Sequence, residues 1–169
     1  MSSLIAKLTA ATITIAPVDD GVCSANCDLS NSGYALIRTF EGYSPYVYKD
    51  SAGLDTIGYG HLIVKGEKFT QPLLPEQAQK LLVKDARIAV NGVNKGVKIP
   101  LKQNQIDALI SFTYNVGVGA FHKSTLLRRV NAEKHDQVPP QFLRWVRAGG
   151  KIIKGLVNRR NAEAELYQL

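Results

Sequence analysis

Apolar residues recur at helical spacing at Leu36, Ile37 and Phe40, and Gly42 gives that run a natural stop. Glu41 then falls in the last turn of the helix, where the peptide dipoles disfavour a negative charge. A carboxylate there serves stability poorly, which is a first pointer to function. From Tyr46 the period changes. "YVYKDSAGLDTIGYGHLIV" is rich in Tyr, Val, Ile and Thr, carries turn residues in "DSAG", and predicts a small antiparallel hairpin or short sheet. At Pro75 the helical period returns. Ala78, Leu81, Leu82, Ala86 and Ala89 form one apolar stripe behind a first turn suited to Pro75 and Glu76, so a helix is expected over 75–91. "PLKQNQIDALISFTYNVG" predicts another, with Ile106, Leu109, Ile110 and Thr113 on one side and Gly117 ending it. Shorter helices are expected at Thr125 to Val130 and Gln141 to Val146. "AGG" then breaks the chain before a last helix ending in "NRRNAEAELYQL".

This order predicts an α+β architecture: a small sheet lobe over 34–74, a linking helix over 75–91 and a helical lobe over 92–169, with a cleft between the lobes. The polar, turn-like "DLSNSG" separates that body, 31–169, from an N-terminal extension, 1–30. Residues 4–18, "LIAKLTAATITIAPV", are interrupted by Lys7 and fall short of the roughly 17–25 residues that span a bilayer. They read first as a segment that packs on the rest of the fold, with a weak membrane anchor as the alternative.

Composition narrows the partners. The chain of 169 residues is long enough for one good-sized core or two small lobes, and its 45% hydrophobic content predicts no extensive disorder. An excess of 21 Lys and Arg over 14 Asp and Glu gives +7, which favours anionic partners: nucleic acid, an anionic membrane surface or an acidic polymer. Nucleic acid is set aside, because the cations are scattered and no groove-reading motif is present. Cys23 and Cys27, four apart, allow a short disulfide loop or two free thiols. His61, His122 and His135 show no metal-ligand spacing.

The candidate chemistry lies in "EGYSPYVYKDSAGLDTIGYGH", residues 41–61. Glycoside hydrolysis needs a protonated acid on one side of the scissile bond and an ionised carboxylate on the other. A Glu at a helix end and an Asp on a hairpin supply such a pair across a cleft, provided Glu41 is the less solvated and Asp50 the more exposed. Thr56, on the returning strand, can hold a water against Asp50. Gly58 and Gly60 would let backbone and sugar approach closely. Acids at such spacings are more often surface charges, so the pattern by itself is suggestive only.

Taken whole, "E-G-x7-D-x5-T-I-G-x-G-H" from Glu41 to His61 resembles the catalytic signature of the phage-type lysozymes, glycoside hydrolase family 24. "PLKQNQIDALISFTYNVGVGAFHKSTLLRRVN" and "RWVRAGGKIIKGLVNRR" are similar to its endolysin branch, and the resemblance runs from Tyr34 to Leu169. It implies a lysozyme-like fold and hydrolysis of the β-1,4 bond between N-acetylmuramic acid and N-acetylglucosamine in peptidoglycan. Glu41 is then the general acid, Asp50 the second carboxylate and Thr56 the third member of a triad. Inversion at the anomeric carbon is implied, with the carboxyl groups roughly 6.5–9.5 Å apart. Leu62, Tyr114, Asn115 and Ser124 match substrate contacts, although Tyr114 also suits a helix-end core aromatic and Ser124 a helix N-cap. His61 matches a structural residue that pairs with an acid.

Arg159 and Arg160 compete for one place. Helical spacing turns Arg160 inward with Leu156, Val157, Ala164 and Tyr167, and asks for a buried acidic partner. The resemblance puts Arg159 slightly nearer Glu41. No metal or organic cofactor is implied. The expected partner is peptidoglycan, reached by a monomer made in the host cytoplasm and acting in the periplasm, with transient membrane contact through the N-terminal segment. Two other readings stay open: a lysozyme-like module that binds peptidoglycan without cutting it, and a lytic transglycosylase.

Overall fold

The computed structural model describes residues 21–50 and 52–169, so the apolar segment 4–18 lies outside the described residues. The chain forms the mixed α+β architecture expected. Helix α1 (Asn31–Glu41) starts at Ser30, whose hydroxyl accepts the Gly33 N–H at 3.2 Å. Leu36 and Ile37 turn inward from it. The start of α1 is fixed from outside. Asp107, fully buried on α3 (Gln103–Val116), accepts the Ser30 N–H and the Gln103 amide, each at 2.9 Å, and also the Ser30 hydroxyl. The position of Glu41, at the other end of α1, therefore depends on the central helix.

After α1 comes an antiparallel sheet of β2 (Ser44–Lys49), β3 (Asp55–Gly58) and β4 (His61–Leu62), in that order. Its register sets Tyr48 opposite Thr56 and Thr56 opposite Leu62, so these three side chains share one face. The other face packs a small apolar cluster of Ile57, Leu73 and Ala78 onto α2 (Pro75–Gly96). Helix α2 continues past the expected end at Asn91, because its buried stripe continues through Val90 and Val93.

The larger core joins α1, α2, α3 and the last helix, α7 (Lys154–Gln168), around Ile37, Leu109, Phe112 and Phe142. Beyond Gly117 the chain turns at once into α4 (Val118–Lys123), then α5 (Thr125–Asn131). The helix expected over Gln141–Val146 is instead a single turn, α6 (Pro139–Phe142). Its two prolines suit a first turn that needs no N–H partners. The residues expected to extend it go into a turn and a hairpin, β6 (Arg147–Ala148) and β7 (Lys151–Ile152).

At the front, β1 (Val22–Cys23) pairs with β5 (Leu101–Lys102), just before α3. Cys23 and Cys27 are joined in a disulfide. The Cys27 N–H and carbonyl are both held by the Asn94 amide on α2, at 2.9 and 2.8 Å. Among the described residues no helix is long and apolar enough to cross a membrane.

Candidate active site

Glu41 closes α1, and its carboxylate is divided between two surroundings. Oε1 accepts from Arg159 Nη1 at 2.7 Å. Oε2 lies beside Gly60, where a Cβ would stand 3.4 Å away. Gly60 has φ +83°, a conformation natural to glycine, so the chain passes the acid with no side chain between them. Gly58 is buried, with Leu73 and Ala78 against it.

Asp50 opens the turn between β2 and β3. Its Oδ1 accepts the N–H groups of Ala52 and Leu54 at 2.8 and 2.9 Å, an arrangement that builds the turn from the side chain. Oδ2 has no hydrogen-bond partner among the described residues. One oxygen therefore serves the fold, and the other is available. Thr56 is buried at the centre of the sheet. Its hydroxyl donates to the Leu54 carbonyl at 3.1 Å, which leaves its lone pairs free to accept. Tyr48, opposite Thr56, feels the charges of both acids. Its phenol is raised above its ordinary value by burial first, then by the charges of Glu41 and Asp50.

A cleft of about 590 Å³ runs between the sheet and the helical lobe, lined by Glu41, Gly60, Leu62, Tyr114 and Asn115 among others. Leu62 is 44% exposed and presents an apolar edge to it. Tyr114 is held strongly towards its neutral form, by burial above all and then by Glu41 and Asp85, with Arg159 opposing. Asn115 accepts from Arg160 Nη2 at 3.0 Å, so its amide N–H groups remain for a ligand.

A model of the phage lysozyme family matches residues 38–163. The chain belongs to that family. An endolysin of Bacillus phage PZA is 42% identical over 143 residues, which are 82% of this chain and 54% of the relative. The chain thus spans about half the length of that protein and of a second Bacillus phage endolysin, from B103. A SAR-endolysin of Enterobacteria phage P21 is 37% identical over 75% of this chain and 76% of its own length. Among solved structures, an endolysin from Escherichia coli O157:H7 phage FAHEc1 superposes with TM-score 0.78. It is 38% identical over 86% of this chain and 96% of that one.

In this phage lysozyme fold the two arginines of α7 both turn inward, to different partners. Arg159 bonds Glu41. Arg160, fully buried, sets Nε 2.8 Å from Oε2 of Glu163 and lies 4.9 Å from the centre of the Phe112 ring. Glu163 is the acid that the inward Arg160 called for, and the sequence reading did not name it. The signal was available, since Glu163 stands three and four residues beyond the two arginines on the buried face.

His61 is buried, with Nδ1 2.8 Å from Asp85 Oδ2 and Nε2 3.0 Å from Glu67 Oε2. Both ring nitrogens are engaged, so neither is free to exchange a proton with a substrate. Asp85 was also missed, although it falls between Leu82 and Ala89 on the apolar stripe of α2, where a charge needs a partner. Ser124 lies apart from the acids, in a second depression beside Trp145. Its hydroxyl accepts the Leu127 N–H at 3.0 Å as the N-cap of α5 and donates to the Phe121 carbonyl at 2.7 Å.

Proposed function

We propose that this protein is an endolysin muramidase, which hydrolyses the β-1,4 bond between N-acetylmuramic acid and N-acetylglucosamine in bacterial peptidoglycan and so serves host-cell lysis. The observation that carries the reading is the divided carboxylate of Glu41: one oxygen is fixed by Arg159 and the other is open beside Gly60 in the cleft. Membership of the phage lysozyme family supports it.

In this reading Glu41 Oε2 gives its proton to the glycosidic oxygen as the bond breaks. Asp50, through the oxygen that the turn does not use, removes a proton from a water that attacks the anomeric carbon from the opposite face. Thr56 helps to hold that water with a lone pair. The product is inverted, and the carboxyl groups should stand roughly 6.5–9.5 Å apart with substrate bound. Leu62, Tyr114 and Asn115 would bind the glycan, with Ser124 a contact further along. His61, Asp85 and Glu67 would hold the cleft wall.

No metal or organic cofactor enters the reaction. The protein would act as a monomer in the periplasm, where its positive charge favours an anionic wall. Residues 4–18 are its candidate for transient membrane contact, a reading supported by likeness to a SAR-endolysin.

The experiment is digestion of purified peptidoglycan by the wild type and by Glu41→Gln, with mass spectrometry of the products. Reducing muropeptides from the wild type and none from the variant are expected. Anhydro products would make the protein a lytic transglycosylase. Binding to the wall without products would make it a recognition module.

A further inference from the structure

Glu163 does not line the cleft and takes no part in the reaction above. It lies one turn beyond Arg159 on α7, and its side chain is wholly buried. Its Oε1 accepts from the Ser111 hydroxyl at 2.7 Å, from Arg160 Nη2 at 3.1 Å and from Arg159 Nε at 3.2 Å. One guanidinium, that of Arg159, therefore faces two carboxylates. Its Nε edge goes to Glu163 and its Nη1 to Glu41, while Nη2 donates to the Ser111 carbonyl at 3.2 Å. Phe40 covers it, 5.7 Å from ring centre to guanidinium carbon. Arg160 reaches Glu163 and Asn115 but makes no contact with Glu41.

The charges decide what this arrangement does. Two guanidiniums are buried here, and Glu41 and Glu163 are the carboxylates in contact with them. Tyr48 from β2 and Tyr114 from α3 also feel the charge of Glu41, and Asp85 from α2 lines the same cleft, but among the described residues none of the three has a hydrogen bond or ion pair to either arginine. With Glu163 absent, both cations would act on Glu41 alone. A carboxylate facing two buried cations stays ionised, whereas a general acid must hold a proton when substrate arrives. Burial pushes the Glu163 carboxyl up, with the arginines and Ser111 pulling it back, and burial draws Arg160 down to about 10. Each charge of the set depends on the others.

We propose that Glu163 is a positioning residue for Glu41: it takes up Arg160 and one edge of Arg159, fixes the angle of that guanidinium, and leaves Glu41 a single N–H contact and the capacity to take up a proton. The catalytic meaning of this rests on the reading of Glu41 as general acid.

The test follows the carboxyl carbon of Glu41 by NMR as pH is varied in the whole folded protein. Glu163→Gln removes an anion and leaves both guanidiniums to Glu41, so the titration midpoint should fall by about one pH unit or more. Arg160→Gln removes a cation and lets Glu163 draw on Arg159 alone, so the midpoint should rise. The double variant Arg160→Leu/Glu163→Leu takes the pair out as a unit and should fold; with Arg160 gone and only the Arg159 edge released, its midpoint should fall less than that of Glu163→Gln, and it also decides the matter if a single variant fails to fold. An unmoved midpoint in a folded single variant, shifts of the same sign in both, or a double variant whose midpoint rises above the wild type or falls as far as that of Glu163→Gln would overturn the proposal.

Muropeptide release over the same pH range is the second readout. The basic limb of the profile should move with the carboxyl, and through kcat more than KM, because Glu163 does not reach the cleft. A carboxyl that moves while the limb stays would leave this inference standing and remove Glu41 as the general acid.

Discussion

The helical lobe buries a continuous apolar core in which Ile37, Leu109, Ile110, Phe112 and Phe142 have no exposed surface, while the sheet lobe fully encloses little beyond Ile57, Leu73 and Ala78. Helix α1, which carries Glu41, packs in the larger core, whereas Asp50 stands on the sheet, and the two acids are held by different means. Glu41 is fixed by an arginine whose own charge is balanced inside the helical lobe, which takes a large, dry core. Asp50 is fixed by two backbone N–H groups in a turn open to solvent, which takes almost no core at all. A lobe of either kind can place a carboxylate. Only the larger one can place it beside a buried cation.

The largest effect tests the self-sufficient turn. Asp50→Asn keeps a carbonyl oxygen that accepts from Ala52 and Leu54, so the hairpin should persist. It removes the base that would take the proton from water. Activity on purified peptidoglycan should fall about 10²–10⁴-fold with no loss of thermal stability. A drop in the unfolding midpoint alongside the activity would show that the turn needs the charge and would blur the contrast between the lobes.

A matched pair of core deletions compares the lobes directly. Ile37 and Ile57 are both fully buried, one in each core. Ile37→Ala leaves a cavity among packed helices and should cost about 3–5 kcal/mol in denaturant unfolding. Ile57→Ala, whose neighbours Ile63 and Phe69 are only partly buried and can settle inward, should cost nearer 2 kcal/mol. Equal costs would mean that the small cluster is as rigid as the large one.

A smaller effect is expected where α1 meets α3. A Cβ on Gly33 would stand 2.5 Å from Leu29 Cδ1 and 2.8 Å from the Asp107 carboxyl group. Gly33→Ala gains helix propensity but must displace the cap, for a net loss of about 1–2 kcal/mol. Because the same helix carries Glu41, activity in the peptidoglycan digestion should fall with it. Destabilisation with full activity would show that Arg159, without the cap, is enough to place the acid.

Much of this arrangement was legible in the chain because it follows from local rules. The α1 stripe ending at Gly42, the sheet between Tyr46 and Leu62, and the start of α2 at Pro75 are each written in the spacing of a few residues. The spacing and the "DSAG" turn put Glu41 at a helix end and Asp50 on a hairpin. What spacing could not give is pairing across long separations. Arg159 and Glu41 are 118 residues apart, and the choice between Arg159 and Arg160 depends on a helix rotation fixed only when α7 packs on α3. Asp107 beneath Ser30, and Asp85 beside His61, belong to the same class of contact. The short helix at Gln141–Val146 was misread for the opposite reason. Its local pattern is helical, but Gly149 and Gly150 and the pairing of Arg147 with Ile152 draw the chain into a hairpin.

The smallest effect concerns how the sheet lobe is tied to α2. His61, at the end of the sheet, sits between Asp85 on α2 and Glu67 in the loop beyond β4, and Lys84 reaches Glu67 from α2 at 3.3 Å. With so little core of its own, the lobe leans on these polar ties. The Val64 N–H above all, then His61 and Lys84, hold the Glu67 carboxyl down at about 2 from an ordinary 4.5, against the burial that pushes it up. A carboxyl lowered in the folded state contributes stability that is fully present above its unfolded value and lost as pH falls through its folded one. The window is therefore from 4.5 down to about 2. Glu67→Gln should lower the thermal midpoint at pH 6, and the gap between variant and wild type should close on acidification through that window. The helical lobe takes no part in the Glu67 ties and should not contribute to the closing. Hydrogen exchange at pH 3 would locate the loss, with amides of β3 and β4 exchanging sooner than those of α3. Uniform exchange across both lobes would mean that they unfold as one unit, and that the difference in their cores has no thermodynamic consequence.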